Sequence, residues 1–191
     1  MSTADFSTFF ALLSLLTWAG TVVAAGAMLF DRFRPSHRSA ALAEPLRDAA
    51  LWLGWLVAAV TTAGSLYYSE VAHFTPCPLC WYQRIALYPM AVILLVAAVR
   101  RDLPSRWYVL PQLIIGAVIA GYHTQLQAFP DHGSPFCTTT EPCTTRYVWE
   151  FGFVSLPFMA LAAFAFLITM VIIAPMGPPS TTIDPASQGA P

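Results

Sequence analysis

The sequence has no lysine: all nine basic residues are arginine, which reads as genome composition rather than chemistry. Charge of either sign is scarce. Only 10% of the 191 residues are charged, against about 25% in a soluble domain. A chain so poor in charge cannot keep its surface in water, which argues against a soluble globular protein. The net charge of −1 gives no sign of nucleic-acid binding. No internal repeat, haem motif or flavin motif is visible, and the longest polar loop, 129–150, is too short to build a core of its own. What the chain has in quantity is apolar surface. Hydrophobic residues make up 57% of it, and the mean hydropathy is +0.62.

Five uncharged stretches carry that surface: Phe6 to Phe30, Ala49 to Ser69, Ile85 to Val99, Trp107 to Phe129 and Phe151 to Ala174. Roughly 20 apolar residues cross the ~30 Å hydrocarbon layer, and four stretches are long enough. The third supplies only about 22 Å at 1.5 Å per residue. To span, its helix must begin upstream, near Cys77, which places Arg84 near the membrane boundary. The first stretch has no basic residue before it and too long an apolar run for a secretory signal, and is read as a retained helix. Arg32, Arg34, Arg38 and Arg47 fall in loop 31–48, and Arg100, Arg101 and Arg106 in loop 100–106. With five spans, these loops and the C-terminal tail share a side, which the positive-inside rule makes cytoplasmic. The N-terminus and the 70–76 and 129–150 loops then face outward. The tail from 175, rich in Pro, Ser and Thr, is expected to be disordered.

Four cysteines form two pairs on the outward side, where disulfides persist. Cys77 and Cys80 adjoin the first outer loop, and Cys137 and Cys143 lie in the second. Three chemistries suit this set. Two structural disulfides are possible, although a CxxC ring is too tight to brace a fold well. A four-cysteine zinc site is permitted by spacing, but one pair lies at the start of a membrane helix. A redox dithiol suits CxxC best. Pro78 favours the first helical position, so Cys77 is a plausible N-cap and Cys80 falls in the first turn, where unpaired N–H groups stabilise a thiolate. Arg84 follows Cys80 by four residues and shares its helix face. It either serves a site or snorkels to headgroups. A dithiol at a membrane edge can hand two electrons to a lipid-soluble quinone. Trp81, Tyr82 and Tyr88 could stack on such a ring or serve as interfacial anchors.

The segments "PCPLCWYQR", "GYHTQLQAFP" and "CTTTEPCTTRYVWEFGF" together resemble the DsbB family of disulfide-bond formation proteins, closest to its short BdbC-type members, over about residues 47 to 174. The resemblance implies an all-α integral membrane protein, a four-helix transmembrane bundle, to which this chain adds one extra N-terminal transmembrane helix. The implied division is 1–46 for that helix and a basic cytoplasmic loop, 47–174 for the redox bundle and 175–191 for a cytoplasmic tail. The implied activity is membrane thiol:quinone oxidoreduction. The enzyme would reoxidise an extracytoplasmic DsbA-like thioredoxin-fold protein and pass electrons to ubiquinone or menaquinone in a bacterial cell membrane. Cys77 and Cys80 resemble the quinone-proximal pair, with Cys80 the thiolate that contacts quinone and Arg84 supporting its binding. Cys137 resembles the cysteine that bonds to the partner, and Cys143 the one that exchanges with Cys77. His123 resembles a histidine near the quinone, or else a helix-end histidine bonding a backbone carbonyl. Arg146 and Trp149 to Phe151 match a segment lying along the membrane surface. No resident metal is implied.

Two departures from the family pattern are the extra first helix, whose role the sequence leaves open, and a short step from Cys137 to Cys143. Loop 129–150 must serve both partner and inner dithiol, and Pro130, Gly133, Ser134 and Pro135 suit such movement. Vitamin K epoxide reductase-like enzymes place the loop cysteines before the CxxC, the reverse of the order here. CcdA-like carriers place paired cysteines within helices. A non-enzymatic scaffold with structural disulfides is the remaining alternative.

Overall fold

The structure is a computed structural model that describes residues 3–33, 37–100, 106–131, 135–137 and 142–174. Five α-helices follow one another: α1 (Thr3–Phe33), α2 (His37–Leu66), α3 (Pro78–Arg100), α4 (Arg106–Ala128) and α5 (Leu156–Ile173). Among the described residues there is no strand, only an isolated antiparallel bridge between Glu150 and Val154. All five helices are long and apolar enough to cross a membrane. The third begins at Pro78, as its short apolar run demands. Residues 37–48 differ from the loop expected there, because α2 is helical from His37. The run from Ser39 to Leu53 is rich in Ala and Leu, good helix formers, and the helix passes through Pro45, so it begins well before the apolar stretch at Ala49. The tail 175–191 and Arg101 lie outside the described residues.

Lipid tails are as apolar as leucine, so helices in a membrane associate through close packing of small residues rather than through the hydrophobic effect. The core shows this. Ala50, Ala58, Ala86, Ala97, Ala120 and Ala162 are buried along the helix seams. Gly116 of α4 lies under the Phe164 ring of α5, so that a Cβ there would meet the ring at 2.4 Å. Met90, Leu94, Leu113, Leu167 and Met170 fill the remaining centre.

Several polar groups inside the bundle are matched across helices. Pro89 lacks the N–H that would bond the carbonyl of Ile85. Gln112 of α4 donates its side-chain amide to that carbonyl at 3.2 Å and to Ala86 O at 3.3 Å. At the basic end of the bundle, Arg106 donates to Ile172 O in the last turn of α5 at 3.1 Å. At the opposite end α2 widens into a π-helical turn, Tyr67–Val71, where the Ala72 N–H returns to Tyr67 O at 3.0 Å. That end holds the start of α3, the end of α4 and all four cysteines.

Candidate redox site

Cys77 caps α3. Its carbonyl accepts the Trp81 N–H at 3.1 Å, and its Sγ accepts the Cys80 N–H at 3.4 Å. Capping satisfies an otherwise orphaned amide and sets the sulfur at the positive end of the helix. The next turn brings Cys80 Sγ to 3.0 Å from Cys77 Sγ, with both thiols free. Cys137 and Cys143 form a disulfide, which takes two of the four sulfurs that a four-cysteine zinc site needs. The two pairs meet: Cys77, Cys143, Leu79 and Leu126 form one buried cluster, with Cys80, Cys137 and Ile119 packed on it.

His123 of α4 stands between the pairs and is only 1% exposed. Its Nε2 lies 3.0 Å from the Cys143 carbonyl and 3.8 Å from Cys77 Sγ. A carbonyl can only accept, so Nε2 carries the hydrogen. Nδ1 is then the acceptor, and it takes the side-chain amide of Gln83 at 2.9 Å. His123 therefore does bond a backbone carbonyl, and it stands beside the dithiol as well. The Cys80 thiol hydrogen-bonded to Cys77, followed by His123, holds the Cys77 thiol well below the ordinary thiol range, against the opposing effect of burial. In the reduced pair these contacts favour the negative charge on Cys77, at the helix N-terminus beside His123, rather than on Cys80, where the sequence reading puts the thiolate.

Gln83 was not among the residues singled out from sequence. It is buried and falls on the stripe Cys80, Gln83, Arg84, Leu87, the spacing of one helix face. That periodicity was the available signal. Arg84 donates to Ser65 O of α2 at 3.2 Å, and Tyr88 donates to Ser65 Oγ at 3.0 Å. Trp81 and Tyr82 are about half exposed. Neither lines a cavity at the site, although the Arg84 guanidinium lies 5.4 Å from the Trp81 ring.

The segment behind Cys143 is pinned to the end of α4. Gln127 donates to Thr145 O at 2.8 Å, and Arg146 donates to Gln127 O from both Nε and Nη2. The Arg146 guanidinium covers the Trp149 ring at 4.0 Å. Three rings continue the contact: Tyr147 stacks on Phe74 at 4.7 Å, and Phe74 on Tyr68 at 5.6 Å. Gly133 and Ser134 of the expected mobile stretch lie outside the described residues.

A cavity of about 550 Å³ opens beside the dithiol. Cys80, Gln83, Arg84 and His123 stand at one end, and the rest of its wall is mostly aliphatic, aromatic and small side chains from α1, α2 and α5. A second cavity of about 270 Å³ lies between Cys77, His123, Gln127 and Cys143.

The sequence profile described as "Disulfide bond formation protein DsbB" matches residues 47–174. The chain belongs to the DsbB family. Among its relatives, Disulfide bond formation protein C of Bacillus subtilis is 43% identical over 128 residues, covering 66% of this chain and 93% of the relative. Probable disulfide formation protein C of Halalkalibacterium halodurans is 41% identical over 128 residues, covering 64% and 93%. A probable disulfide formation protein of Coxiella burnetii is 37% identical over 131 residues, covering 68% and 89%. No solved structure gave a significant match. Membership, with five membrane-length helices, makes this a multi-pass membrane protein of disulfide-bond formation, and the family implies oxidoreductase activity. The DsbB match begins at residue 47, so α1 lies outside it.

Proposed function

We propose that this protein is a thiol:quinone oxidoreductase that reoxidises an extracytoplasmic thioredoxin-fold dithiol protein. One observation carries the reading: two cysteine pairs share a buried cluster, and the inner pair borders a cavity that is polar at the sulfur end and apolar beyond it. The residues fit a prenylated quinone. Cys80 and the Arg84 guanidinium stand where a carbonyl-bearing ring would lie, and carbon surface surrounds the remainder. When bound, a quinone accepts the two electrons and two protons that the Cys77/Cys80 dithiol gives up in forming its disulfide.

The protein's own steps are thiol–disulfide exchanges. A partner thiolate attacks Cys137; the Cys137–Cys143 bond breaks, a partner–Cys137 bond forms and Cys143 leaves as a thiolate. Cys143 then attacks Cys77 of an oxidised Cys77–Cys80 pair, forming Cys143–Cys77 and releasing Cys80. The partner's second thiol displaces Cys137 and leaves the partner oxidised. Cys137 returns to Cys143, and Cys77 is released. Cys77 is a good leaving group because the helix N-terminus and the His123 N–H stabilise its charge. Gln83 fixes the imidazole tautomer that presents this N–H.

In this reading the protein sits in a bacterial cell membrane with the basic end of the bundle in the cytoplasm and the cysteines outside, an orientation that the positive-inside rule supports. Residues 47–174 act as the redox bundle in this reading.

The test mixes purified protein with a reduced thioredoxin-fold dithiol protein, with and without added ubiquinone or menaquinone, and counts free thiols. Oxidation that requires quinone and disappears in Cys80→Ser is expected. Quinone-independent turnover, or full turnover by Cys80→Ser, overturns the proposal.

A further inference from the structure

The helix outside the DsbB match forms one side of the cavity. Phe10, Leu13, Ser14, Thr17 and Gly20 of α1 line it and recur at the spacing of a single helix face. Leu53, Val57, Val60 and Gly64 of α2 face them, with Ala160 and Ala163 of α5 alongside. The hydroxyls on these stripes are spent within their own helices. Ser14 donates to Ala11 O at 2.8 Å, Thr17 to Leu13 O at 2.8 Å and Thr61 to Val57 O at 2.7 Å. The surface left for a ligand is therefore mostly hydrocarbon. The polar groups gather at the far end, around Cys80 and Arg84.

The gap is not a loose fit between helices. α1 packs chiefly along α5 and touches α2 less, yet its contacts on both sides are close. A Cβ on Gly20 would come within 3.3 Å of the Phe166 ring, and one on Gly64 within 2.7 Å of the Phe10 ring. Phe6 stacks on Tyr67 at 3.9 Å, Tyr68 donates to Ser7 Oγ at 3.3 Å, and Trp18 meets Phe158 at 6.2 Å. Small residues where the helices touch and a wide space where they do not describe a built chamber. Its volume falls in the ~300–1,000 Å³ range of small-molecule sites.

We infer that α1 supplies the tail subsite of the quinone cavity: the isoprenoid chain lies against the Leu13–Gly20 face of α1, and this helix sets the preference for tailed over tailless quinones. The inference rests on the quinone assignment above and adds to it a role for the one helix that the four-helix bundle lacks. The competing occupant is a phospholipid acyl chain, which has the same hydrocarbon chemistry but no electron-accepting ring.

The experiment uses full-length protein in its fully oxidised form, so that binding is read without turnover. Equilibrium dialysis gives Kd for quinones bearing zero, one, two and four isoprenoid units, and bound lipid is quantified by mass spectrometry. In the unaltered protein affinity should rise with tail length. Leu13→Trp, which fills the chamber from α1, should weaken binding of tailed quinones at least tenfold and shift the tailless one less than twofold. Thr17→Leu is a smaller filler for the case where tryptophan lowers the yield, with an expected threefold or greater loss. Unchanged binding across the series, or equal loss for all quinones, overturns the tail subsite. So does displacement of bound phospholipid with quinone affinity intact. Failure of the unaltered protein to bind any quinone sinks the underlying assignment instead, a result distinct from the others.

Discussion

His123 Nε2 stands 3.8 Å from Cys77 Sγ, and Cys80 Sγ stands 3.0 Å from it. These groups lower the Cys77 pKa, so the thiolate persists as pH falls below the ordinary thiol value of about 8.5. In a Cys137→Ser/Cys143→Ser protein, the iodoacetamide rate of the reduced inner pair should change less than threefold between pH 9 and pH 7. An unperturbed thiol loses about 25-fold over that range. His123→Ala should steepen the profile, and an ordinary thiol profile in the parent would refute the charge placement. Arg84→Gln keeps a donor for Ser65 O but removes the positive charge. It should raise the quinone KM roughly 5–30-fold, an effect of about 1–2 kcal/mol, and change kcat less. An unchanged KM would show that Arg84 serves only the α2–α3 contact. The cysteine pairs and Arg84 were legible as residues because CxxC spacing and a membrane-edge arginine are unusual. Gln83 was not, since an uncharged amide beside two cysteines and an arginine draws no notice until the face is traced by helical period. Trp81 and Tyr82 drew notice by adjacency, yet on a helix neighbours in sequence point about 100° apart.

Helix limits were legible where physics demanded them and hidden elsewhere. The start of α3 followed from an apolar run too short to cross. The early start of α2 did not, because Pro45 and the charged residues before Ala49 read as a loop although the Ala and Leu among them favour helix. The π-helical turn at Tyr67–Val71 rests on a shift of hydrogen bonding that no side-chain pattern announces. Pairing between helices is more testable. Gln112→Leu strips the donors from Ile85 O and should cost about 1 kcal/mol, read as a lower Tm in detergent. Restoring the backbone N–H with Pro89→Ala should recover most of that loss. If both changes simply add, Gln112 is not compensating for the proline. Gly116→Leu drives a side chain into the Phe164 ring and should cost about 1–3 kcal/mol.

The assembled bundle separates a basic end from a sulfur end. Alkaline phosphatase fused after Asp131 should be active in cells, and fused after Asp102 inactive; the opposite pattern would place the cysteines in the cytoplasm and end the redox proposal. The packing of α1 on α5 and along the cavity was invisible in the sequence, which shows a fifth apolar run but not what it leans on. Tyr147, four residues beyond Cys143, stacks on Phe74; Phe74 stacks on Tyr68; and Tyr68 reaches Ser7 of α1. All three rings also border the larger cavity. A visitor that lifts the segment behind Cys143 must either peel Tyr147 from this pile or drag the pile along. In both cases the disturbance arrives at the chamber's rim, so the aqueous doorway and the oily store behind it hang on a common hinge.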